Sequence, residues 1–163
     1  MDTDDQALRD FYAGTYARLV GIVGAVAGDR QEAEEAVQDA FVRLLGRWST
    51  VSRYDDPEAW VRKVALGAVS NRRRKARNRL RATLRHGPPP DVAGPTGDAV
   101  DLQRALAALP APQRAVLVLQ HLGLGVDQIA AELGVRPGTV KSRLSRARAA
   151  LVPLLREDVT GSV

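Results

Sequence analysis

With 163 residues, 45% of them apolar but only 4% aromatic, the chain must build its core mainly from Ala, Val and Leu, which favours packed helices over a sheet. The absence of cysteine excludes disulfides and thiolate metal sites, His86 and His121 are too few and too far apart for zinc, and no apolar run nears the ~20 residues of a membrane span. The net charge of +5 conceals an asymmetry: residues 1–58 hold 12 acids against 6 bases, 59–86 hold 10 bases and no acid, and 101–156 hold 8 bases against 3 acids. That layout points to one polyanionic partner and one protein surface.

The acidic start Met1-Asp2-Thr3-Asp4-Asp5 is unlike a signal peptide, so a cytoplasmic protein is expected. Residues 5–27 place Leu8, Phe11, Tyr12, Thr15, Leu19, Ile22, Val23 and Val26 at spacings of three and four, which predicts a helix with one buried side. Gly21 and Gly24 weaken its middle. Asp29 followed by Glu32 resembles a capping box and starts a second helix. That helix buries Ala33, Ala36, Val37, Ala40, Phe41, Leu44 and Trp48 and exposes Glu34, Glu35, Gln38, Asp39 and Arg43.

Residues 48–55 lack a period and read as a loop. Asp56-Pro57-Glu58 is a helix start, with Asp as N-cap and Pro in the first turn. The helix that follows is expected to bury Trp60, Val61, Val64 and Ala68. Arg62, Lys63, Ser70, Arg73, Arg74 and Arg77 fall to its other side, and the run continues through Arg79. So many cations in one stretch repel each other unless a polyanion is near, which suggests phosphate binding. Residues 85–99, with the core HGPPPD, read as a flexible Pro/Gly linker.

Beyond the linker, Leu102, Ala105, Leu106 and Leu109 mark a short helix, and LPAPQR at 109–114 a turn and a new start. Gly123-Leu124-Gly125 breaks that helix. Residues 126–151, VDQIAAELGVRPGTVKSRLSRARAAL, then form a helix-turn-helix. Gly134 ends the first helix where positive φ is required, and Pro137 opens the second. Val140, Leu144, Ala147 and Leu151 make one apolar stripe; Gly138, Ser142, Ser145 and Ala149 lie opposite, flanked by Thr139, Lys141, Arg143 and Arg146. Small residues at the centre and donors at the edges suit a helix that enters a DNA major groove. After Leu151, Pro153 and residues 157–163 read as a fraying tail.

Three segments together resemble a bacterial RNA polymerase sigma factor of the extracytoplasmic-function (ECF) group in the sigma-70 family. They are EAEEAVQDAF at 32–41, LPAPQR at 109–114, and 128–148. The resemblance covers about residues 8–152 and implies an all-α chain of two small helical domains. These are a region 2 bundle at 5–84 and a region 4 helix-turn-helix at 100–153, joined by the linker at 85–99. Three positions depart from the family pattern: Gly67 and Asn71 stand where the promoter-melting helix usually has Asn and Asp, and Arg136 stands where Ser commonly caps the recognition helix.

The resemblance further implies that Glu35, Gln38 and Asp39 dock on the β′ clamp of core polymerase, whose β flap is a second contact. It implies that Arg136, Gly138, Thr139, Lys141, Ser142, Arg143, Ser145 and Arg146 read the upstream (−35) promoter element. Ser52, Arg53, Tyr54, Arg62, Lys63, Asn71, Arg73 and Arg74 would hold the melted downstream (−10) strand. Trp48 and Trp60 suit the core better than base stacking. An anti-sigma factor is a further expected partner. No nucleophile–base pair, carboxylate dyad or phosphate loop is apparent, so the chain is expected not to be an enzyme and to need no cofactor or metal. The rival expectation is a homodimeric helix-turn-helix repressor or activator on duplex operator DNA, which leaves the separate cationic helix and the acidic face unexplained.

Overall fold

The computed structural model describes residues 2–83 and 98–160, and side chains within 2–82 and 102–155. The described residues form eight helices and no strand. They divide into two units, residues 1–83 and 84–163. The linker expected at 85–99 lies almost wholly outside the described residues.

In the first unit, α1 (Thr3–Ala27) runs unbroken through Gly21 and Gly24 and stops at Gly28, whose φ of 74° is left-handed. Gly24 is a point of close approach, since a Cβ there would lie 3.7 Å from the Cβ of Ala33. The next helix, α2 (Arg30–Leu45), begins where the Asp29 carboxylate accepts from the Glu32 N–H at 3.0 Å. The Glu32 side chain reaches across to Arg73, so its carboxylate serves a tertiary contact beside the half-box at Asp29.

Residues 48–51 correct the loop expected there: Trp48–Val51 is a single helical turn, α3. Four residues are too few to show a period. The turn is held by Val51, which is fully buried, and by Trp48, whose ring lies 5.3 Å from that of Phe11. Trp48 thus belongs to the edge of the core. After it, the Asp56 carboxylate caps the Ala59 N–H at 3.1 Å and α4 (Pro57–Thr83) begins.

α2 packs against both α1 and α4. Its inward stripe of Ala33, Ala36, Val37, Ala40 and Leu44 has no exposed surface; Leu19 and Val23 of α1 and Val61 and Ala65 of α4 are equally enclosed. On α4 the buried line is Val61, Ala65, Leu66 and Val69, while Trp60, Val64 and Ala68 are only half-buried. At the rim, the Arg18 guanidinium grips both Glu58 oxygens at 2.7 and 2.6 Å. That hydrogen bond, then the carboxylate charge, raises the Arg18 pKa above its ordinary value.

The second unit comprises α5 (Asp98–Ala108), α6 (Ala111–His121), α7 (Val126–Leu133) and α8 (Pro137–Thr160). α8 packs on the other three, with Val140, Leu144 and Ala147 inward against a core that includes Val116, Leu119 and Ile129. Leu102, expected inward, is 51% exposed; Ala105 and Leu109 carry the burial of α5. The expected tail is also corrected as far as Thr160, to which α8 continues with Pro153 inside it; residues 161–163 lie outside the described residues. The proline withdraws one donor from the Ala149 carbonyl, and neighbouring turns carry the helix past it. Arg114 is only 8% exposed and donates to the carbonyls of Ala107 and Leu109 at 3.2 and 2.9 Å, pinning the end of α5 to the start of α6.

Leu44→Ala should destabilise the first unit by about 2–5 kcal/mol by leaving a cavity. Gly134→Ala should cost the second about 1–2 kcal/mol because its φ of 66° strains any Cβ. Hydrogen exchange of each unit's own helices measures both, and unchanged protection in α1, α2 and α4 of the Leu44 variant would show that the core is wrongly located.

Candidate nucleic-acid interface

In the helix-turn-helix, the backbone N–H of Gly125 donates to the Gln128 side chain at 2.8 Å at the head of α7. Gly134 closes α7 in the left-handed region, and the Val135 N–H returns to the Ala130 carbonyl at 3.0 Å. The first bonds of α8 run from the N–H groups of Thr139 and Val140 to the Arg136 carbonyl at 3.0 and 3.2 Å. Arg136 therefore stands at the mouth of the helix, exposed, with no side-chain acceptor to offer as a cap.

Because Val140, Leu144 and Ala147 are turned inward, the opposite line of α8 is fixed. Gly138, Ser142, Ser145 and Ala149 are exposed, with Lys141 and Arg146 beside them and Thr139 and Arg143 half-buried at the edges. A Cβ added at Gly138 would meet nothing within 4 Å, so the small residue leaves an open notch rather than serving the fold. The Ser142 hydroxyl donates to the Thr139 carbonyl at 3.3 Å, which leaves its oxygen able to accept. All eight residues expected at the upstream element thus lie on this helix or at its head.

The eight residues expected at the melted strand do not stay together. Ser52, Arg53 and Tyr54 are exposed on the turn after α3, with Tyr54 48% exposed. Lys63, Gly67, Asn71 and Arg74 form an exposed line along α4 at spacings of four, four and three. Arg62, at 7% exposure, and half-buried Arg73 occupy the inward line with Leu66 and Val69. Arg73 donates to the Ala27 carbonyl at the end of α1 and meets Glu32 at 3.4 Å. Both of these cations are committed to the fold. The signal was present in the spacing: Arg62 precedes Leu66 by four residues and Val69 by seven.

On α2, Glu35, Gln38 and Asp39 are exposed as expected for a docking face. Gln38 receives its position from the Tyr16 hydroxyl, 3.4 Å from its amide nitrogen, within a cluster where Tyr12 stacks on Tyr16 at 4.9 Å and meets Phe41 edge-on at 4.8 Å. Sequence reasoning missed Arg72, whose guanidinium joins Glu35 at 3.2 Å and also Asp39. The i, i+4 carboxylates were a visible fork for a cation; which cation fills it depends on how α4 crosses α2.

The Sigma-70 region 2 family matches residues 11–79, and Sigma-70, region 4 matches residues 99–151. The ECF RNA polymerase sigma factor SigM of Mycobacterium tuberculosis is 37% identical over 161 residues, covering 97% of this chain and 82% of that protein. The chain belongs to the ECF RNA polymerase sigma factors. The sigma-E factor of Streptomyces coelicolor is 33% identical over 126 residues, 76% of this chain and 71% of that one. Two solved structures share the fold of this sigma factor. RpoE of Bartonella quintana, in complex with the anti-sigma factor NepR, has a TM-score of 0.72 at 22% identity and covers 93% of this chain and 98% of its own. CnrH, in complex with the cytosolic domain of CnrY, has a TM-score of 0.60 at 25% identity over 94% and 90%. As a sigma factor, the protein acts in promoter recognition and transcription initiation. No helix among the described residues is long and apolar enough to cross a membrane.

Since the Gly138 notch is empty, Gly138→Leu should leave thermal unfolding unchanged or slightly raised while weakening binding to duplex −35 DNA about tenfold, or ~1.4 kcal/mol. Unaltered duplex affinity would remove this line of α8 from the interface.

Proposed function

We propose that residues 5–84 act as region 2, residues 100–153 as region 4, and 85–99 as the tether between them. In this reading α8 lies in the major groove of the −35 element. Lys141, Arg143 and Arg146 hold phosphates or guanine edges, Arg136 takes a phosphate at the helix start, and Thr139, Ser142 and Ser145 contact bases or backbone across the Gly138 notch. The exposed line Lys63, Asn71 and Arg74 and the turn Ser52-Arg53-Tyr54 hold the melted −10 strand, with cations on its phosphates and the exposed Tyr54 ring available for stacking. Arg62 and Arg73 drop out of that set and instead brace α4. Glu35, Gln38 and Asp39 of α2 dock on a basic β′ clamp, region 4 meets the β flap, and an anti-sigma factor is a further partner, as NepR is for the RpoE of Bartonella quintana.

The chain makes and breaks no bonds itself and acts in the cytoplasm, where its polymerase works. The observation that carries this reading is the outward line of α8, small at its centre and cationic at its edges, displayed by a helix whose other line is buried at Val140, Leu144 and Ala147 and half-buried at Leu151. Run-off transcription with purified core polymerase and genomic promoter fragments tests it: discrete transcripts are expected only when the chain is added. A two-fold-symmetric footprint formed without polymerase would favour the homodimeric repressor or activator instead.

Arg146→Ala should weaken holoenzyme binding to promoters by about 1–3 kcal/mol and reduce the salt slope by about one. Gln38→Ala should leave duplex binding alone and weaken core polymerase binding by about 0.5–1.5 kcal/mol, the net value of a hydrogen bond. Swapped outcomes in the two titrations would mean that the surfaces are misassigned.

A further inference from the structure

Two neighbouring arginines of α4, Arg72 and Arg73, reach across to carboxylates of α2. Arg72 of α4 lies between Glu35 and Asp39, one turn apart on α2, and bonds to both. All three are solvent-accessible: the Arg72 side chain is 36% exposed, and those of Glu35 and Asp39 are 56% and 54% exposed. Exposed ion pairs are weak and exchange readily with competing charges. Next to Arg72 in sequence, Arg73 is of similar exposure, 29% against 36%, but differs in its partner: besides Glu32 it holds the backbone carbonyl that ends α1, an acceptor no incoming cationic surface takes over. Arg73 is bracing; Arg72 is displaceable.

We propose that Arg72 is an electrostatic latch that makes promoter binding and polymerase docking favour each other. In the free chain its guanidinium is occupied by Glu35 and Asp39. A basic protein surface that takes over those carboxylates releases Arg72, which then joins the exposed cations of α4 on a nucleic-acid phosphate. Each partner alone must break the latch, whereas the two together break it once, which is positive coupling. By thermodynamic reciprocity, DNA must tighten polymerase binding by the same factor by which polymerase tightens DNA binding. The inference rests on the proposed docking of Glu35 and Asp39 and adds a role for a residue outside both contact sets.

The test compares wild type, R72A, E35Q/D39N and the triple variant, using labelled mixed-sequence single-stranded DNA and purified core polymerase as probes. E35Q/D39N should raise the free chain's affinity for the strand about fivefold, the low end of usual coupling factors. In the R72A background that gain should vanish. R72A should hold or raise core affinity while weakening DNA binding by the holoenzyme, a combination that loss of folding cannot produce. A gain of equal size without Arg72 would reduce the effect to net charge and overturn the latch. So would weaker core binding by R72A, which would mean that Arg72 merely orients the carboxylates. If R72A unfolds, R72Q carries the same comparison. Failure of the wild-type chain to bind core at any salt concentration would remove the docking reading itself, and the latch with it.

Discussion

The first unit depends on the close approach of α2 to its neighbours through alanine. Ala33, Ala36 and Ala40, with Val37 between them, are wholly enclosed, and their small side chains let α1 and α4 press against α2 without large residues to hold them off. In a chain with so few aromatic residues, this is how a core reaches protein density. The same closeness has an electrostatic consequence. It brings the acidic flank of α2 within side-chain reach of the cationic end of α4, so Glu32, Glu35 and Asp39 find Arg73 and Arg72. Charges that read along the chain as two separate surfaces become one network.

The second unit follows a different economy. Its longest helix supplies both the inner packing and an outward line of small and cationic residues. Val140, Leu144 and Ala147 fix the rotation of α8 about its axis, and that rotation alone decides which residues face outward. Gly134 fixes the angle at which the chain turns into α8, because its left-handed backbone admits the turn without strain. Arg114 performs a comparable service at the α5–α6 corner, where a buried charge is tolerable only because carbonyl oxygens receive it. An outward line built this way is rigid, since moving it would expose the core.

Between them, the two units separate cations that brace the fold from cations left in solvent by burial rather than by residue type. Arg62, Arg73 and Arg114 are arginines of the interior or its margin, while Lys63, Arg74, Lys141 and Arg146 stand in solvent. Only the second kind keeps its full hydration to exchange for phosphate, which is the source of salt-sensitive binding to nucleic acid. In this ECF sigma factor one small chain carries an acidic face and two cationic surfaces at once.

Much of this was legible in one dimension. Helical periodicity, Asp29 and Asp56 as caps, Gly134 as a terminator and the small-centred line of α8 are local properties, set by bonds that span three or four residues, and they needed no tertiary information. Periodicity also contained the inward placement of Arg62, obscured only because a dense run of cations looks uniform. What the fold alone decided are the contacts between distant positions: the helical turn at Trp48–Val51, held by Phe11 and the core rather than by its own propensity; the exposure of Leu102; and the seating of Arg72 between Glu35 and Asp39. A sequence specifies which faces of its helices are apolar, but the crossing of one helix over another determines which charged rims meet, and that crossing is set by how the buried side chains interlock.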